Sequence, residues 1–225
     1  MKEKAKPGLL GKHPGYGDFL QTNVDEPLAD AISGWLDHTL SALRDAQGQG
    51  WAPFWDGAQD LRFWVGRAVL GQTLVGILRP SADRVGRRYP LVILLAGADV
   101  PPPQERPEDQ GIWDQLATQL ETMEPGQGAR ALLAGFAPDV DGEDAATAAL
   151  GPTIWAHHPE ADIAKLLAAA GPADAARASV TRSYWWATGG ETRAATWLGC
   201  AGMPDAGALG WALAGVQREE AADGG

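Results

Sequence analysis

The sequence predicts an α/β domain around a mixed or mainly antiparallel sheet, and three observations lead there. Apolar residues recur at helical spacing in separate stretches, foremost Leu28, Ile32, Trp35, Leu36, Leu40 and Leu43. Segments rich in valine and aromatic residues come in pairs about glycine turns, at 61–78 and 180–200, as hairpin strands do. Between those pairs the run Leu91–Ala96 is apolar without alternation, the pattern of a strand covered on both faces. Antiparallel strand pairs interleaved with helices define the α/β expectation.

In chain order, residues 8–20 read as two short extended pieces around the turn Pro14–Gly17. A first helix starts near Pro27, because proline suits a first helical turn, and runs about five turns. Asp30, Ser33, Asp37 and Arg44 fall on its polar side, and Gly48 and Gly50 end it. Leu61–Leu70 and Thr73–Leu78 form a hairpin about Gly71-Gln72. Val100–Pro107 holds four prolines and reads as a loop or linker. Trp113, Leu116, Leu120 and Met123 mark a second amphipathic helix, closed by Pro125-Gly126. Residues 127–150 read as helix on weak periodicity, Thr153–His157 as a short strand, and Ile163, Leu166 and Leu167 as a short helix. Val180–Thr188 and Arg193–Cys200 flank Gly189-Gly190 as a second hairpin, and Ala206, Leu209, Leu213 and Val216 form a terminal helix after Pro204. Residues 1–7 and 217–225 read as disordered tails, leaving 8–216 as one domain with one shared sheet.

Composition bounds the function. The chain has 225 residues, 45% of them apolar and 21% charged, enough for a packed core. Ten tryptophans from Trp35 to Trp211 imply burial along most of the length. A net charge of −11 disfavours binding to nucleic acid or to an anionic membrane surface. The one cysteine, Cys200, allows no intramolecular disulfide framework, which suits a reducing compartment. The start lacks the apolar core of a signal peptide, and Leu91–Ala98 is too short to span a bilayer. A soluble cytoplasmic protein is expected.

Two segments concentrate glycine, proline and charge: Gly11-Lys12-His13-Pro14-Gly15-Tyr16-Gly17-Asp18-Phe19, and Ser81-Ala82-Asp83-Arg84-Val85-Gly86-Arg87-Arg88-Tyr89-Pro90-Leu91. Such loops hold a defined shape and present a few side chains from it. Asp18 reads as a carboxylate that accepts backbone N–H groups or pairs with an arginine, rather than as a catalytic acid or base. Around the second segment, Arg79, Arg84, Arg87 and Arg88 stand against Asp83 alone. The expected division pairs Arg84 internally with Asp18 and leaves Arg87 and Arg88 outward, as a recognition surface for acidic or phosphorylated protein.

Other chemistries fail on detail. Gly11-Lys12 lacks the upstream glycine and the following hydroxyl of a P-loop, and Gly15-Tyr16-Gly17 lacks the third glycine of a dinucleotide fingerprint. Adjacent His157 and His158 on a strand point to opposite faces and are a poor metal pair. The acidic run Asp139–Asp144 lacks the residue order of a calcium loop. Cys200 has no activating neighbour and reads as core. No cofactor, metal or catalytic residue is expected. Trp185 and Trp186 alternate across the sheet, so both faces need cover.

At these residues the chain resembles the TagF (ImpM) family, accessory proteins of bacterial type VI secretion systems. The first loop resembles the family's opening Gly-Lys-x-Pro-x-x-Gly-Asp-Phe. Ser81–Leu91 is similar to its Ser-x-Asp-x-x-Gly-Arg-x-aromatic-Pro-Leu segment. Ser183-Tyr184-Trp185-Trp186, then Gly202-Met203-Pro204, resemble the family's tryptophan strand and its closing Gly-Leu-Pro. The ordered set spans residues 8–216; His13 departs from a usually apolar position, and Val100–Gly151 carries no matching motif. The resemblance implies a three-layer α/β/α domain without known catalytic activity. It implies post-translational repression of secretion through a cytoplasmic scaffold protein bearing a forkhead-associated domain. Some relatives are fused to a protein phosphatase domain, for which this length leaves no room. The expectation is therefore a non-enzymatic regulator. Its alternatives are a hydrolase using Asp18 with His13, or an assembly module without regulatory activity.

Overall fold

A computed structural model describes residues 4–126, 128–142 and 180–218, and within them the paired apolar segments join in one sheet. Strands β1 (Pro7–Gly11) and β2 (Leu20–Thr22) are the two extended pieces around the first loop. Helix α1 (Glu26–Gln47) begins where the Asp25 carboxylate accepts the Leu28 N–H, with Pro27 in the first turn, and ends at Gly48 with φ 52. A 3-10 turn, Gly48–Gly50, leads into α2 (Trp51–Asp56). Then come β3 (Leu61–Val65), the helical turn α3 (Arg67–Leu70), β4 (Leu74–Arg79) and β5 (Leu91–Ala96). Helix α4 (Gly111–Thr122) and a 3-10 turn, Ala129–Leu133, follow. Strands β6 (Arg182–Ala187) and β7 (Thr196–Ala201) form the second hairpin, and α5 (Ala206–Ala214) starts where Asp205 caps the Ala208 N–H.

The seven strands lie in the order β2-β1-β5-β4-β3-β6-β7, and every neighbouring pair is antiparallel. The mixed sheet allowed by the sequence is therefore corrected to an antiparallel one. Alternation divides β5 between two apolar clusters. Val92 and Leu94 join Leu36 of α1, Trp55 of α2 and Leu213 of α5, whereas Leu91, Ile93 and Leu95 join Trp113 and Leu116 of α4. Trp185 and Trp186 part in the same way, one to each cluster. The continuous apolar run is the signature of this two-sided burial.

Several expectations shift. The first hairpin is interrupted, because Arg67–Leu70 coil into a helical turn before Gly71 takes a left-handed φ of 83. Helix α2 is absent from the sequence reading, which places no element between Gly50 and Leu61; its Pro53 lies in the first turn, where proline is tolerated. The amino-terminal tail is shorter than expected: Ala5 is buried with its N–H on the Val140 carbonyl, and Lys4 pairs with Asp139 and Asp141. Toward the other end, the Arg218 N–H bonds the Thr192 carbonyl. The strand expected at 153–157, the helix at 163–167 and most of the helix at 127–150 lie outside the described residues. Among the described residues, no helix is long and apolar enough to cross a membrane.

Gly76 of β4 sits where a Cβ would run into the Phe63 ring and the Ile93 carbonyl. The sheet closes tightly over that point, so Gly76→Ala should destabilise the fold by about 1–3 kcal/mol, read as a lower urea midpoint at unchanged slope.

Candidate functional site

Because β1 and β5 are neighbours with Gly11 opposite Leu91, the loop leaving β1 and the loop entering β5 emerge side by side. Gly11 has φ 119, and any Cβ there would collide with the Pro90 carbonyl, so only glycine lets the two strands meet this closely. The Lys12 N–H then donates to the Pro90 carbonyl at 3.1 Å, and the Arg84 N–H to the Tyr16 carbonyl at 2.8 Å.

Asp83 is the centre of the junction. Its side chain is fully buried. One carboxylate oxygen accepts the backbone N–H groups of Val85 (3.1 Å) and Arg87 (2.9 Å). The other accepts Arg87 Nε at 2.6 Å and lies 3.2 Å from Lys12 Nζ. Burial works to raise the pKa of this carboxyl. The Arg87 amide and guanidinium, Lys12 and the Val85 amide together outweigh it and hold Asp83 well below the usual carboxylate range. Arg87 continues across the junction, donating Nη2 to the Gly17 carbonyl at 2.6 Å. Arg88 turns the other way and grips Asp56 of α2 with two bonds, 2.8 and 2.7 Å. Trp55 of the same helix donates its indole N–H to the Ser81 carbonyl at 2.8 Å.

The first loop is fastened from its other side. His13 Nδ1 accepts the Gly15 N–H at 3.0 Å, and its ring meets Tyr16 edge-on. Burial lowers the pKa of His13, which favours the neutral imidazole that this acceptor role requires. The Tyr16 hydroxyl accepts the Gly126 N–H at 2.8 Å and reaches the carbonyls of Gly126 and Gly128. Phe19 packs edge-on against Tyr89, whose phenol is pushed up in pKa by burial and by Asp37 of α1.

The two loops meet, but through other atoms than the sequence suggested. Asp18 is exposed, and neither a hydrogen bond nor an ion pair joins its carboxylate to Arg84. Arg87, expected outward, keeps an exposed side chain yet is the staple, through Asp83 and the Gly17 carbonyl; Arg88 is held by Asp56; Arg84, expected inside, is exposed. The staple between the loops is thus Asp83 with Arg87, not Asp18 with Arg84. The missed signal was the spacing Asp83-x-x-Gly86-Arg87: a short carboxylate captures the amides two and four residues on when a glycine closes the turn. A depression of about 440 Å³ beside the junction is lined by His13, Asp56, Arg79, Ser81 and Leu120 among others, but not by Asp18. Arg79 within it is neutralised by Asp60 at 2.6 Å.

Elsewhere, burial pushes the Cys200 thiol up in pKa, and Ser183 Oγ lies 3.2 Å away. Among the described residues, no cluster of three or more His, Cys, Asp or Glu side chains is placed to hold a metal ion. His157 and His158 lie outside the described residues.

Comparison with known proteins follows the same lines. The profile of the TagF N-terminal domain, described as type VI secretion system-associated, matches residues 8–135, the stretch that carries both loops. Among solved structures, the crystal structure of PA0076 from Pseudomonas aeruginosa PAO1 superposes with a TM-score of 0.69 at 25% identity, covering 98% of this chain and 99% of that one. No curated protein sequence matches the chain.

The junction has a pH signature. Asp83 has a lower pKa folded than unfolded, where a value of about 3.9 applies, so its stabilisation is complete above that pH and lost as pH falls below it. Asp83→Asn should melt several degrees lower than the parent at neutral pH. The gap should narrow when both are melted at progressively acidic pH.

Proposed function

The chain belongs to the TagF family of type VI secretion system-associated proteins, and on that premise we propose that it is a non-enzymatic, post-translational repressor of a bacterial type VI secretion system. It acts in the cytoplasm by binding a component that bears a forkhead-associated domain. One observation favours binding over catalysis: Lys12, Asp83 and Arg87 of the two motif loops hold each other, and the buried Asp83 carboxylate has its contacts within the chain. In this reading the motifs shape a rigid surface. Arg87 and Arg88 reach a partner only while still attached to Asp83 and Asp56, so they contribute to recognition through the form of the loop. The three-layer α/β/α description belongs to the same proposal, supported by the apolar clusters that pack α1, α2 and α5, and separately α4, against strands.

The hydrolase alternative needs Asp18 and His13 in one cleft, whereas the depression beside the junction takes in His13 without Asp18. An assembly module without regulatory activity differs from a repressor only in the cell. Deleting the gene should raise secreted effector severalfold without changing the amount of secretion proteins, read by immunoblot of culture supernatant and cells. An unchanged or reduced secretion level would reject repression. Complementation with a chain carrying both His13→Gln and Asp18→Asn should restore repression fully; failure of that variant, at normal abundance, would return the hydrolase to contention.

A further inference from the structure

Four arginines lie between residues 79 and 88, and three have carboxylate partners: Arg79 with Asp60, Arg87 with Asp83, Arg88 with Asp56. Arg84 is exposed and has no side-chain hydrogen bond or ion pair among the described residues. Its position is nonetheless defined. The Arg84 N–H is bonded to the Tyr16 carbonyl, and Nη2 lies 3.4 Å from the point where Gly17 would carry a Cβ. The guanidinium therefore rests on the bare backbone of the first loop with its donors facing solvent.

Beside it stands Val85, 69% exposed and the most exposed of the large apolar side chains described. Gly86 follows with φ 84, which makes this pair the tip of the loop. In the first loop Phe19, two residues beyond Gly17, is also exposed, 42%, and is braced against Tyr89. The base beneath is rigid, since both amides flanking the tip are bonded to Asp83. A preorganised knuckle loses little freedom on docking. Gly142 and Val180 lie at the opposite end of the sheet, beyond β5 and β3.

We infer that the Arg84–Val85 knuckle is the docking point for the protein partner, which offers a carboxylate to Arg84 next to an apolar hollow for Val85. The inference rests on the regulatory reading above and adds the place and chemistry of contact. Charge complementarity argues for this occupant: on a chain of net charge −11, an unpaired guanidinium beside exposed apolar groups attracts an acidic surface that the rest of the molecule repels.

The test places a photo-crosslinking benzoylphenylalanine at position 85, and as a control at Asp30 on the polar side of α1, in the native host. Adducts are identified by mass spectrometry. An adduct with a secretion-system protein at 85 alone, abolished by Arg84→Glu, supports the knuckle. With the purified partner, Arg84→Glu should weaken binding about tenfold or more at unchanged melting temperature, and a reversed charge on the partner's contacting carboxylate should restore it. No adduct above the control, an adduct indifferent to Arg84→Glu, or one joining two copies of this chain would overturn the inference. An adduct that depends on Arg84 but contains a secretion protein without a forkhead-associated domain would reject the proposed partner while leaving the knuckle in place.

Discussion

A carboxylate removed from water is tolerable only when its charge is answered on every side, and Asp83 meets that condition with two amides, a guanidinium and an ammonium. The groups that answer it come from two distant stretches of chain. Lys12 arrives from the loop after β1, while Val85 and Arg87 arrive from the loop before β5. Because Arg87 also bonds the Gly17 carbonyl, the carboxylate fixes the shape of one loop and the position of the other. Gly11 is the geometric counterpart, since its left-handed backbone lets the strands approach where the Pro90 carbonyl leaves no space for a side chain. Charge and steric fit converge on the same junction, so the two loops behave as one body.

The tryptophans perform a similar service for the core. Buried indoles need a partner for their N–H, and here several find it at the seams between elements. Trp35 bonds the Pro204 carbonyl, Trp64 that of Val100, and Trp113 that of Phe63. Each bond joins a packed side chain to a segment remote in sequence. Ser183 works in the same manner, accepting the Trp185 indole while donating to the Gly202 carbonyl. Richness in tryptophan is thus mainly an architectural property, with Trp197 and Trp211 as the exposed exceptions among the described residues.

What was legible in the sequence follows from the range over which each signal acts. Helices α1, α4 and α5 stood out because an apolar stripe repeats over several turns, and Pro27 and Pro204 mark the starts of the first and the last. β5 stood out because uninterrupted apolar residues need cover on both sides. Helix α2 was hidden, since six residues hold too little periodicity and include a proline. The meeting of the loops was expected from their composition, yet the pairing was assigned to Asp18 and Arg84. Only three-dimensional proximity shows that Asp83 closes its own turn first and leaves Arg84 without a local carboxylate. The order of the strands across the sheet was equally beyond reach, because strand neighbours far apart in sequence carry no mark of one another.

That order has a consequence for the making of the protein. Strands β3, β4 and β5 follow one another in sequence and in the sheet, so they can pair as they emerge from the ribosome. β1 lies inside the sheet, between β2 and β5, and its second partner is synthesised only after α1, α2 and two further strands. Until then the nascent chain carries a strand with one bare edge, which is the condition that favours pairing with a neighbouring chain. The polar loop that follows β1, later fastened to Asp83, belongs to the last part of this half of the sheet to find its place.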